Sequence, residues 1–177
     1  SAGFTHWAKL NNLKQAAKTM NFLTEHGISS YGELESKLAA VSARRDTAHA
    51  EIKRIETRSA ELALVMKHAG TYRQLKPLYD RYRKSNDKEK FLRGHESEII
   101  LFEAAARELK RLGAVPLPTT ESMKTELANL NAEKERLLAE YKAARTEAQE
   151  YETVKQNVDA LLTVPKEQEQ QRRHELE

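Results

Sequence analysis

Apolar residues recur at alternating steps of three and four along two long stretches of this chain. From Tyr31 the series runs through Leu34, Leu38, Val41, Arg45, Ala48, Ile52, Ile55, Ser59, Leu62 and Met66. That spacing is a heptad pattern held without a slip, and it predicts a long helix with one narrow apolar seam. A second series runs Met123, Leu127, Leu130, Lys134, Leu137, Tyr141, Ala144, Ala148, Tyr151, Lys155, Val158 and Leu162. Each helix is about 40 residues, or roughly 60 Å at the rise of an α-helix. Folded back antiparallel, the two seams keep a constant register, with Tyr31 facing Val158, Leu38 facing Tyr151, Ile52 facing Leu137 and Met66 facing Met123. Arg45 then meets Ala144, a small residue that leaves room for a long side chain to reach water. A parallel homodimer through the first seam is the competing arrangement.

Capping and breaking residues divide the rest. Thr5 is placed to cap a first helix that stops near Gly27, with Trp7, Leu10, Leu13, Ala17, Met20 and Phe22 or Leu23 as its apolar stripe. Ser30 and Glu33 form a capping box for the first long helix. Gly70 and Pro77 predict a kink or break between them, since proline has no N–H to donate. Ser85, Asn86 and Asp87 suit the start of another helix, with a stripe of Leu92, His95, Ile99, Phe102, Ala106 and Leu109, ending at Gly113. AVPLPTT (114–120) is a connector, and Val164-Pro165 closes the last helix. The expected organisation is an N-terminal helix (1–28), a long coiled-coil helix (29–70), a helical head (71–118), a second long helix (119–164) and a disordered polar tail (165–177). The fold class is therefore all-α and elongated, an antiparallel coiled-coil hairpin with a small head.

Composition agrees with few, long elements. Charged residues make up 32% of the 177 and aromatics 6%, with six glycines and four prolines. Such a chain builds a narrow seam in place of a broad core. It contains no cysteine, so disulfides, thiolate metal sites and cysteine nucleophiles are excluded. No apolar run approaches the roughly 20 residues of a membrane span. The start lacks a secretory apolar region, which points to the cytoplasm. Ser1-Ala2 reads as a cloning scar, so the chain is expected to be a piece of a longer protein.

Charge changes the picture in one place. Net charge is +3, but residues 72–95, YRQLKPLYDRYRKSNDKEKFLRGH, hold eight lysines or arginines against three acids. That local +5 leaves the remainder of the chain at −2. The cations are Arg73, Lys76, Arg81, Arg83, Lys84, Lys88, Lys90 and Arg93, and they are the candidate phosphate contacts of a DNA-binding surface. Tyr72, Tyr79 and Tyr82, with Leu75 and Leu78, lie at the spacing of a packed face. Two readings stay open: aromatics in the core with cations in water, or cations and aromatics on nucleic acid.

Catalytic chemistry has little to stand on. The six histidines, at 6, 26, 49, 68, 95 and 174, are scattered. A phosphotransfer tyrosine at 79 or 82 would lack a histidine cluster to help it. HESEI starts like the zinc motif H-E-x-x-H, but Ile99 stands where the second ligand belongs, so His95 is read as a helix-face residue with a satisfied ring. No G-x-G or G-K-[ST] loop is present to cradle phosphate. No catalytic residue, metal or cofactor is expected. Acidic and basic residues on the long helices, as in NAEKERLLAEYKAARTEAQE, read as solvated faces laced with i,i+4 pairs.

Three segments resemble one protein class: NLKQAAKTMNFLTEHGISSYGELESKL (12–38), LVMKHAGTYRQLKPLYDRYRKSNDKEKFLRGHESEIILFEAAARELK (64–110) and EYETVKQNVDALL (150–162). They look like the C-terminal region of relaxase or mobilisation proteins from conjugative and mobilisable elements of Gram-positive gut bacteria. The likeness lies in these phrases and covers most of the chain without including a chemical motif. Such relaxases nick one strand at the transfer origin with a tyrosine and a histidine-bound metal, in an N-terminal domain. This chain matches neither motif, so the resemblance implies a non-catalytic accessory domain and transfers no catalytic residue. It also implies DNA of the transfer origin and transfer-machinery proteins as partners. The alternative function is a coiled-coil interaction or dimerisation module with no direct DNA contact. Neither reading calls for membrane insertion.

Overall fold

The computed structural model describes residues 2–176. It consists of four helices: α1 (Ala2–Glu25), α2 (Tyr31–Lys84), α3 (Lys88–Arg111) and α4 (Thr120–Glu175). No strand occurs among the described residues. The all-α class read from the periodicity is therefore the observed one.

Local chemistry fixes most helix ends. Past α1, Gly27 takes φ +63°. Its N–H donates to the Thr24 carbonyl and the Ile28 N–H donates to the Leu23 carbonyl, a pairing that closes the last turn. Glycine reaches that left-handed φ without the steric penalty of a Cβ. Gly113 repeats the arrangement after α3 with φ +69°, its N–H on Lys110 and that of Ala114 on Leu109. Ser30 Oγ accepts from the Glu33 N–H, while the Glu33 carboxylate accepts from both the N–H and the hydroxyl of Ser29. The capping box thus closes one residue further out than the Ser30–Glu33 pairing predicts. The Ser29 N–H and hydroxyl are also what hold Glu33 below the usual carboxylate range. Asp87 caps α3 by accepting from the Lys90 N–H, and Thr119 caps α4 by accepting from that of Ser122.

The chain forms two compact units, Ser1–His49 with Leu138–Glu177, and Ala50–Leu137. In the first, the start of α2 lies antiparallel to the later part of α4. Leu34, Val41, Ala148, Tyr151 and Val154 make the core, and Phe22, Leu23, Ile28, Leu38 and Val158 pack against it. Tyr31 donates from its hydroxyl to Asp159 at 2.7 Å, and Arg44 reaches Glu147 at 2.6 Å. Half-buried Arg45 turns its guanidinium to Asp46 at 3.0 Å, while Ala144 stays buried beneath the seam.

In the second unit, Ile52, Ile55, Leu62, Val65 and Ala69 of α2 are buried, as are Met123, Leu130 and Leu137 of α4. Arg54–Glu133, Glu56–Lys134 and Arg58–Glu126 pair across these helices at 3.8, 3.3 and 2.7 Å. Several charges read as lying along one helix therefore bridge two. Each such exposed pair contributes about 0–1 kcal/mol, so they select register more than they add stability. Burying a residue such as Ile55 contributes about 1.5–3 kcal/mol, which is where the stability lies. Here α3 adds a third layer through Ile99, Phe102, Ala105 and Leu109. The chain's own α4 fills the seam that a parallel homodimer would have used.

Four expectations change. α2 does not break between Gly70 and Pro77 but continues to Lys84. Pro77 is on the exposed side, where water can serve the carbonyl of Arg73 that loses its partner, and Tyr72 and Tyr79 on either side stack on Phe102 at 4.8 and 4.2 Å. α4 passes Val164 and Pro165 and remains helical to Glu175. The lysine, glutamate, glutamine and arginine of that segment are strong helix formers, which outweighs the lack of an apolar face. α1 begins at Ala2, upstream of Thr5, whose side chain lies outside the described residues. Finally, most of the predicted stripe of α1 is on its outside: Trp7, Leu10, Leu13 and Met20 are 62%, 46%, 66% and 58% exposed. Its last members, Phe22 and Leu23, do pack inward, together with Thr19.

Candidate nucleic-acid interface

The basic segment occupies the end of α2, the short connection 85–87 and the start of α3, all in the second unit. The connection is tight. The Ser85 N–H donates to the Tyr82 carbonyl, and the Asp87 N–H reaches Ser85 Oγ at 3.3 Å. Beneath it runs a chain of rings: Phe102 on Tyr79, Tyr79 on Tyr82, Tyr82 on Phe91, and Phe91 on His95, with centroids 4.2, 5.9, 6.0 and 4.7 Å apart. Tyr72, Tyr79, Tyr82 and Phe91 are all half-buried, so the aromatics act as packing that holds the two helices together.

All eight predicted cations are exposed, but they differ in what they hold. Arg73 is committed to the chain, donating to Thr120 Oγ1 at 2.8 Å and to the Pro118 carbonyl, which ties α2 to the start of α4. Lys76 pairs with Asp80 at 3.2 Å one turn on. Arg81 lies over the Phe91 ring at 5.7 Å, a cation–π contact. The side chains of Arg83, Lys84, Lys88, Lys90 and Arg93 have no hydrogen-bond, ion-pair or cation–π partner among the described residues. These five gather at the facing ends of α2 and α3.

The helix ends treat those charges unequally. Arg83 and Lys84 are in the last turn of α2, where the helix dipole favours cations. Lys88 and Lys90 open α3, where the same dipole is positive and opposes them. Asp87 and Glu89 offset part of this, but the Asp87 carboxylate is already engaged as the cap. Cations kept where the fold disfavours them raise the positive potential at this corner and suit an anion from outside.

His95 differs from its expected role. Its backbone, at φ −138° and ψ 26°, departs from helical geometry inside α3. The ring leans on Phe91, and among the described residues the buried Nδ1 has no hydrogen-bond partner; a carboxylate oxygen of Glu98 is 3.7 Å away. The ring is thus packed with its Nδ1 unpaired, because the irregular turn at Gly94–His95 aims it at the aromatic chain. Ile99 is buried in the core. Among the described residues no cluster of histidines and acids has metal-binding geometry, and no helix is long and apolar enough to cross a membrane.

Which cations the fold engages was not readable from the sequence, because Thr120 and Pro118 are far from Arg73 along the chain. No family model matches this chain, and no curated protein or solved structure shows significant similarity to it.

Proposed function

We propose that this chain is a non-catalytic helical module that contacts the phosphate backbone of nucleic acid, as an accessory C-terminal region of a conjugative relaxase. The observation that carries the reading is the set of five exposed and unpaired cations, Arg83, Lys84, Lys88, Lys90 and Arg93, at the junction of two helix ends. Such a cluster neutralises phosphates and releases their counterions, which drives binding without reading bases. The ring chain below supports it as a rigid base. Arg73 and Lys76 drop out as primary contacts, since Thr120, Pro118 and Asp80 already engage them. Arg81 is an auxiliary contact above Phe91. The relaxase setting rests on the three sequence phrases, and transfer-origin DNA is the nucleic acid they imply.

The test is anisotropy of labelled single-stranded and duplex DNA at low salt, with Arg83, Lys84, Lys90 and Arg93 changed together to glutamine. Affinity should fall at least about tenfold. A control changing Lys124, Lys142, Arg145 and Lys53 to glutamine should retain most binding. Absence of binding at low salt, or equal loss in both variants, refutes the interface.

A further inference from the structure

α1 carries an apolar row on its outward side. Leu10, Leu13, Ala17 and Met20 follow each other at steps of three, four and three and are all exposed. Three of them are large, at 46%, 66% and 58%. On the opposite side, Thr19 is 2% exposed and accepts a hydrogen bond from Asn157 of α4. The α1–α4 groove nearby is lined by Asn12, Gln15, Ala16, Asn157, Ala160 and Leu161. The helix is therefore held by Phe22 and Leu23 at its end and by polar groups along α4, and it leaves a three-turn seam in solvent. A stripe two positions wide at heptad spacing is the shape of a helix–helix contact. Helices that lie on lipid carry wider apolar faces.

Charge identifies the occupant. Lys9 borders the seam on one side and Lys14 on the other, with Lys18 next to Lys14 a turn later. All three are exposed and unpaired among the described residues. Glu25 is the sole acid of α1. Parallel pairing with a second copy would set Lys9 against Lys14 of that copy, and antiparallel pairing would bring two acid-free basic stretches together. Both cost energy through like-charge contact.

We propose that the outward face of α1 is a docking site for an amphipathic helix of a partner protein, with apolar residues at its seam positions and glutamate or aspartate at the flanking ones. Leucine-sized residues of the partner fill the spaces between Leu10, Leu13, Ala17 and Met20, while its acids meet Lys9, Lys14 and Lys18. This site is independent of the basic corner of α2 and α3, so the two interactions stand or fall separately.

The chain holds one tryptophan, Trp7, which sits on α1 and reports on this face by fluorescence. The probes are two synthetic peptides of about three heptads with leucine at the seam, one flanked by glutamate and one by lysine. The glutamate-flanked peptide should shift Trp7 emission and bind at least about tenfold more tightly than its lysine twin. Leu13→Asp should weaken it by a similar factor or more, with helicity by circular dichroism unchanged because Leu13 is a surface residue. Equal affinity for the two peptides, or indifference to Leu13→Asp, overturns the proposal. So does a dimer in light scattering that Leu13→Asp dissociates, which would make the occupant a second copy. A Trp7 shift with phosphatidylserine-containing vesicles but with neither peptide would make it a lipid surface.

Discussion

Asn157 donates from its side-chain amide to the hydroxyl of Thr19 at 3.2 Å, joining α1 to α4 across 138 positions of sequence. Thr19 is 2% exposed and, among the described residues, is the one buried polar side chain. This bond helps set which side of α1 faces inward, beside the packing of Phe22 and Leu23, because a buried hydroxyl without a partner would oppose docking.

Thr19→Val keeps the volume and removes the acceptor, leaving the half-buried Asn157 amide unserved. Stability in urea should fall by about 1–2 kcal/mol. Adding Asn157→Leu should recover part of the loss, since removing both partners costs less than orphaning one. If the single variant is as stable as the parent, the bond does not orient α1.

Pro77 sits inside a continuous α2 and denies the Arg73 carbonyl its helical partner. Pro77→Ala restores that hydrogen bond, against a gain in unfolded-state freedom. The net expectation is a rise of about 1–2 kcal/mol in unfolding free energy by thermal or chemical melting. A drop would mean that α2 needs the proline's geometry at this turn.

Glu33 holds its carboxylate below the usual range because Ser29 donates to it twice. A depressed folded-state value stabilises the protein above the unfolded pKa, about 4.3 for glutamate, and that contribution is lost as pH falls through the lower folded value. Glu108, depressed by Arg111, acts in the same direction. Melting temperature should therefore decline on acidification below about pH 4.3, and Glu33→Gln should show a shallower decline. A variant with an unchanged acid slope would remove Glu33 from the account.

Five unpaired cations also set the salt dependence of the proposed DNA contact. If each meets one phosphate, the logarithm of affinity should fall against the logarithm of salt with slope about −4.5 for duplex and about −3.5 for single strands. Lys88→Gln should reduce the slope by about one. A slope near zero would show that the corner meets something other than phosphate.

The chain's helices were legible for local reasons. Heptad spacing at Leu34, Val41, Ile52, Ile55 and Leu62 names the buried side of α2, and Met123, Leu130 and Leu137 name that of α4. Gly27 and Gly113 mark ends that only a left-handed residue closes without strain. That the two long helices pack against each other was also visible, because two seams of similar length leave few other ways to bury both.

Contacts between elements were not legible. Pro77 reads as a breaker, and it is the stacking of Tyr72 and Tyr79 on Phe102 that accompanies an unbroken helix. Arg73 reads as a free cation until the fold brings Thr120 and Pro118 to it. By itself the sequence determined an all-α chain, the two seams and the concentration of positive charge in residues 72–95. Tertiary structure decided which side of α1 is buried and which five of eight cations remain unpaired. The reason is physical: helix periodicity and caps depend on residues a turn apart, whereas burial and charge pairing depend on side chains that only folding makes neighbours.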